Sequence, residues 1–126
     1  MTRVVSLTVW YAVVAFARPT GIGIAVLRRT TTGAPSFLVQ ALDLRPLQAN
    51  QDYWLKLLVQ GINPTVIAAR LWRDGEGEPA GYQLTTQDGT AALQVSAGVG
   101  LMASMAGNVT NKPVIVSFDD FSSVSA

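Results

Sequence analysis

The stretch that decides the fold is DYWLKLLVQGINPTVIAARLWRDGEGEPAG, residues 52–81. In Tyr53–Gln60, Tyr53, Leu55, Leu57 and Val59 fall on one face of an extended chain. Trp54, Lys56, Leu58 and Gln60 fall on the other, because side chains alternate with period two. Gly61-Ile62-Asn63-Pro64 supplies turn chemistry: a glycine free to take positive φ, then an Asn-Pro step that resists any regular element. Residues 66–73 alternate again, with Val66, Ala68, Arg70 and Trp72 against Ile67, Ala69, Leu71 and Arg73. Residues 74–77 with Pro79 break that run. Two β-rich runs joined by a short turn predict a hairpin.

Working outward, the same rhythm recurs. Residues 4–17 are apolar on both faces, which predicts a strand covered on both sides. This run, with its A-F-A end, also has the outline of a secretory signal. Ser6 and Thr8 interrupt it, however, and Val, Trp, Tyr and Thr dominate it, so a buried strand is the better reading. It is too short for a membrane-spanning helix, which needs about 20 apolar residues. Further strands are expected over residues 22–29, 37–44, 82–87, 98–105 and 113–121. Gly21 and Gly23 mark a bulge or a close backbone approach. Residues 90–95 read as extended or as a single helical turn. In residues 113–121, Val114, Val116 and Phe118 alternate with Ile115, Ser117 and Asp119, and burial of Leu55, Leu57, Val116 and Phe118 is expected. About eight strands with turns every 8–14 residues predict one all-β domain, an antiparallel sandwich or jelly roll.

Composition excludes several functions. Apolar residues are 49% and charged residues 13%, which argues against disorder and implies a surface that is neutral polar or covered by a partner. Nine Lys and Arg against eight Asp and Glu leave a net charge of +1, so there is no electrostatic case for nucleic acid or an anionic membrane. There is no cysteine and no histidine. Disulfides, zinc sites built on His or Cys, Ser-His-Asp triads and Cys-His dyads are excluded by inventory.

The run YWLKLLVQG, then ARLWRDGEGEPAGY, TTQDGTAALQVSAGVGLMA and NKPVIVSFDDFSSV, resembles the concanavalin A-like, laminin-G-like jelly rolls. The resemblance is to the version found in minor tail proteins of tailed phages of actinobacteria. It covers residues 52–124. Gly81-Tyr82 stands where such domains usually carry Trp after the E-P loop. Strands that usually precede the equivalent of Val4 are also missing, so the chain is either a trimmed fragment or completed by another chain. The resemblance implies a non-catalytic structural module of a virion tail, with a host-envelope glycan as its ligand. The alternative is a carbohydrate-binding jelly roll of a secreted, extracellular bacterial protein.

Candidate sites follow from residue chemistry. Trp10, Trp54, Trp72 and the tyrosines could stack on sugar rings, and Trp72 and Tyr82 flank the exposed loop that carries Asp74 and Glu76. Core packing is the commoner fate of tryptophan. Asp119 and Asp120 in FDDF are the candidate Ca²⁺ ligands, although Ca²⁺ asks for six or more oxygens and adjacent strand-end acids usually point to opposite faces. No cofactor is otherwise expected. A strand apolar on both faces and short of neighbours invites pairing with another chain. A homo-oligomer, with a trimer favoured by analogy with tail fibres, or a strand from another tail protein, is therefore expected. The contact would use Val5, Leu7, Val9 and Tyr11, or the alternate set Val4, Trp10, Val14 and Phe16. Neither nucleic acid binding nor membrane insertion is expected.

Overall fold

The computed structural model describes residues 1–125. The described residues form two antiparallel sheets packed face to face, an all-β sandwich. The first sheet runs in the order β1 (Thr2–Ser6), β2 (Val9–Arg18), β3 (Gly21–Arg29), β4 (Ser36–Arg45). The second runs β5 (Tyr53–Gln60), β6 (Thr65–Arg73), β7 (Leu84–Asp88). The sandwich is as expected; strands adjacent in sequence are adjacent in space, so each sheet is a meander, and the Greek-key return of the expected jelly roll is not formed among the described residues. Residues 46–52 carry the chain between the sheets. No helix of the described residues is long and apolar enough to cross a membrane.

The central hairpin has the expected register, Tyr53 opposite Arg73 through Gln60 opposite Val66, without a bulge. Gly61 turns it at φ +76, a conformation that side-chain-bearing residues avoid. The inward face of β6 presents Ile67, Ala69 and Leu71, each fully buried. They meet Tyr11 and Val13 of β2 and Ile22, Ile24 and Val26 of β3, with Leu84 and Leu93 completing the core. Burying an aliphatic side chain of this size contributes about 1.5–3 kcal/mol, so this interface holds the two sheets together. Leu93 enters from a single 3-10 turn, Ala91–Leu93, one of the two conformations expected there.

Gly23 is a close approach. A Cβ there would lie 2.7 Å from the Ala41 carbonyl oxygen and 2.9 Å from the Phe16 ring. The β3–β4 register also shifts between Ile22 and Ile24, so the bulge and the tight contact coincide.

Three expectations are corrected. Residues 4–17 are not one strand. They belong to the β1–β2 hairpin, which turns at Leu7 and Thr8. The Thr8 amide donates to Ser6 Oγ across that tip at 3.3 Å, so the two hydroxyl residues that interrupt the apolar run make its turn. Both faces of β2 are nevertheless covered over residues 10–13, whereas Ala15 and Ala17 farther along are exposed. Tyr11 and Val13 face the core, while Trp10 and Ala12 join Ala25 and Leu27 in a second cluster on the outer side of the first sheet.

Residues 98–105 and 113–121 form no strand. Val116 is 55% exposed and Phe118 53% exposed, where burial was expected. Alternation says which side chains can share a face, but a strand also needs a neighbour to bond to, and these segments have none among the described residues beyond the short contact of residues 98–100 with Met1 and Val4. The third correction is Leu55. It lies on the inward face of β5 yet is 38% exposed, because β5 is an edge strand paired on one side only. Leu57 on the same face is half-buried, packed against the core.

Candidate binding face and C-terminal arm

Cross-strand register builds the outer face of the β5–β6 hairpin. Trp54 stands opposite Trp72 and Lys56 opposite Arg70. The two indoles stack with centroids 6.1 Å apart and planes 12° from parallel. Trp54 is 39% exposed and Trp72 9%, so Trp54 is the ring that meets solvent. Its indole N–H donates to Asp74 Oδ1 at 2.8 Å, which fixes the ring against the loop that follows β6.

Two like charges directly opposite on a sheet repel. Here Glu78 resolves the repulsion by accepting a hydrogen bond from Lys56 Nζ at 2.9 Å and forming an ion pair with Arg70 at 2.5 Å. The hydrogen bond from Lys56 is the main reason that the Glu78 carboxyl is held below its ordinary value. Partial burial opposes the shift, and the positive charges of Arg70 and Lys56 reinforce it. Arg70 also donates to the Pro79 carbonyl at 2.6 Å and lies 4.9 Å from the centre of the Tyr82 ring, a cation–π contact. The face therefore combines a stacked indole pair, a guanidinium-backed phenol and bridged charges.

Of the four ligand-face residues expected, Trp72, Asp74 and Tyr82 belong to this face. Glu76 does not. Its carboxylate turns to Arg45 at 2.9 Å and Arg73 at 3.4 Å, beside a shallow crevice of about 220 Å³ lined also by Pro46 and Gln48. Trp54, a sugar-stacking candidate by residue type, also belongs to this face, while Lys56, Arg70 and Glu78 were missed. The first two were reachable from sequence, since a hairpin turning at residues 61–65 sets Trp54 against Trp72 and Lys56 against Arg70. Glu78 was not, because it comes from an irregular loop that folds back.

A second polar cluster is buried and structural. Tyr11 donates to Asp88 Oδ2 at 2.5 Å, Arg28 to Asp88 Oδ1 at 2.7 Å, and the Thr90 amide to Asp88 Oδ2 at 3.0 Å. Burial pushes the Asp88 carboxyl up, but the hydrogen bonds from Tyr11, Thr90 and Arg28 outweigh it and hold the group below its ordinary value. Burial, followed by the hydrogen bond to Asp88 and its charge, pushes the Tyr11 hydroxyl up. Arg3 ties the same end together, donating to Thr65 Oγ1 at 2.6 Å, to the Leu93 carbonyl at 3.0 Å and to the Gly61 carbonyl.

The residues expected at an oligomer contact divide. Tyr11 is fully buried in the core and Val9 packs beside it, whereas Val5 is 46% exposed and Leu7, at the hairpin tip, 88%. Val4, Val14 and Phe16 pack around Trp10 in the outer cluster.

The C-terminal arm begins at Gly98. Val4 N–H donates to the Gly98 carbonyl at 2.9 Å and Gly100 N–H to the Met1 carbonyl at 3.1 Å, so residues 98–100 start a pairing along the free edge of β1. Residues 101–125 then leave that edge. Their two apolar limbs approach each other around a groove of about 290 Å³ lined by Ala103, Ser104, Met105, Val114 and Val116, with no ladder between them. Asp119 and Asp120 lie exposed in the arm, the Asp120 amide donating to Asp119 Oδ1 at 2.8 Å. No group of three or more acidic side chains that could hold a cation occurs among the described residues. No protein-family model, no curated protein and no solved structure matches this chain.

Proposed function

We propose that this chain is a non-catalytic structural module of a phage tail, a minor tail or tail-tip component that works by docking to other chains. The observation that carries the reading is the arm. Residues 101–125 present strand-forming apolar side chains to solvent, with Ile115 and Val124 each 89% exposed. An exposed apolar segment of this kind is a contact surface waiting for its partner. The resemblance of residues 52–124 to minor tail domains supplies the setting: the virion tail, a homo-oligomer with a trimer favoured, and neighbouring tail proteins. The test is to purify particles of a phage that encodes the chain and label them with antibodies raised against it. Labelling is expected at the tail, and absence of the chain from the mass spectrum of the purified particles overturns the reading. Purified protein is expected to leave bacterial cell-wall polysaccharide intact. Turnover that vanishes in Asp119→Asn or Asp120→Asn would count against a non-catalytic role.

A second reading is favoured by the Trp54–Trp72 stack with its neighbouring hydrogen-bonding groups. In it, the outer β5–β6 face binds a host-envelope glycan, or, were the chain a secreted extracellular protein, another carbohydrate. Aromatic rings flanked by carboxylates and a guanidinium match the apolar faces and hydroxyl rims of sugars. Trp54→Ala is expected to weaken binding on a glycan array about tenfold or more. Unchanged binding by that variant excludes this face.

A further inference from the structure

Four strands have a free edge in this sandwich, and three are unsuited to receive another strand. The edge of β1 is already engaged by residues 98–100. The edge strand β4 has shifted register at two places and Asp43 at φ +51, the bulged and charged kind of edge that resists pairing. The strand β7 is five residues long. That leaves β5, eight residues long and in unbroken register with β6. Its inward face is incompletely covered, as the half-exposed Leu55 records. It also borders the sheet of three strands that lies against a sheet of four.

We propose that the arm of one chain, residues 101–125, adds as a β-strand to the free edge of β5 in a second copy of the same chain. The inference rests on the docking role proposed above and names the partner and the surface. The limb around Val114, Val116 and Phe118 supplies three apolar side chains on one face. Placed beside β5, they extend the inward row of Tyr53, Leu55 and Leu57, and the three-stranded sheet becomes four-stranded. Two observations favour a second copy over an unrelated protein. Each chain offers one unpaired arm and one bare, regular edge, so exchange satisfies donor and acceptor in equal number. The area also fits. The chain exposes 8043 Å², against about 6,500 Å² expected for a compact monomer of its 13.4 kDa mass. The excess, roughly 1,500 Å² on each chain, exceeds the about 800 Å² per partner that a standard stable protein–protein interface buries, so the arm carries enough surface for a stable contact.

The experiment uses the full chain. Sedimentation at micromolar concentration is expected to give a multiple of 13.4 kDa. Val116→Lys with Phe118→Lys alters side chains already half in solvent, so folding is preserved. This variant is expected to weaken association about a hundredfold or more and to sediment as a monomer with unchanged circular dichroism. The absence of native cysteine gives a clean background for cross-linking. A chain carrying Lys56→Cys, mixed with a chain carrying Ser117→Cys, is expected to form a mixed disulfide between the two under oxidation. A monomeric full chain overturns the proposal while leaving a tail role open through another tail protein. An oligomer unaffected by the double substitution, or lacking the mixed disulfide, also overturns the exchange. Absence from virions would sink the tail reading without touching the exchange.

Discussion

Asp88 concentrates the polar energetics of this protein. It is 9% exposed and accepts from a phenol, a guanidinium and a backbone amide. Asp88→Asn removes the charge that orients Tyr11 and pairs with Arg28. It is expected to cost about 2–3 kcal/mol, below the full cost of breaking a buried pair because Arg28 keeps access to water. Urea denaturation of the two proteins measures it. The pH dependence has two arms. The Asp88 carboxyl is held below its ordinary 3.8, so its contribution is present above that value and is lost as pH falls through the lower folded value. The Tyr11 hydroxyl is raised above its ordinary 10.0, so its contribution is intact below pH 10 and is lost as pH climbs toward the higher folded value. Denaturation midpoints are expected to fall at both extremes, and Tyr11→Phe is expected to flatten the alkaline arm. An alkaline arm unchanged in Tyr11→Phe would show that another group controls it.

At the scale of elements, the hairpin of β5 and β6 is the unit most completely written in local sequence. Its alternation, turn and register need no knowledge of the rest of the chain. Leu71 sits at its centre, fully buried against the first sheet, and Leu71→Ala is expected to cost 2–5 kcal/mol, about the usual range for such a cavity. Gly23→Val tests the opposite failure, overpacking. Its side chain would collide with the Ala41 carbonyl and the Phe16 ring, so a loss of about 1–3 kcal/mol is expected, read as a fall in thermal midpoint. The arm is the counter-case. Residues 113–121 alternate as cleanly as β5 does, yet they form no strand within this chain. Period-two patterning describes a capacity to pair, and the neighbour that realises it is a matter of tertiary or quaternary contact.

Across the whole molecule, a well-packed sandwich and an exposed arm should part company in hydrogen exchange. In the Val116→Lys, Phe118→Lys variant, amides of residues 101–125 are expected to exchange first and those of β2, β3 and β6 last. Equal protection across both would mean that the arm belongs to the body. By itself, the amino-acid sequence determined the all-β class and the Trp54 and Lys56 face of the central hairpin. It also determined the catalytic chemistries ruled out by the lack of His and Cys. Those follow from side-chain inventory and from a period that the backbone imposes locally. Only the tertiary structure decided that residues 4–17 belong to a hairpin, since an apolar run covered on both faces reads alike whether it continues or turns. It alone joined Asp88 to Tyr11 and Arg28, residues 77 and 60 positions away, because sheet packing brings together what spacing in sequence keeps apart. It alone left the last 25 or so described residues without a partner in their own chain, because pairing depends on an edge being within reach as well as on the pattern that would fit it.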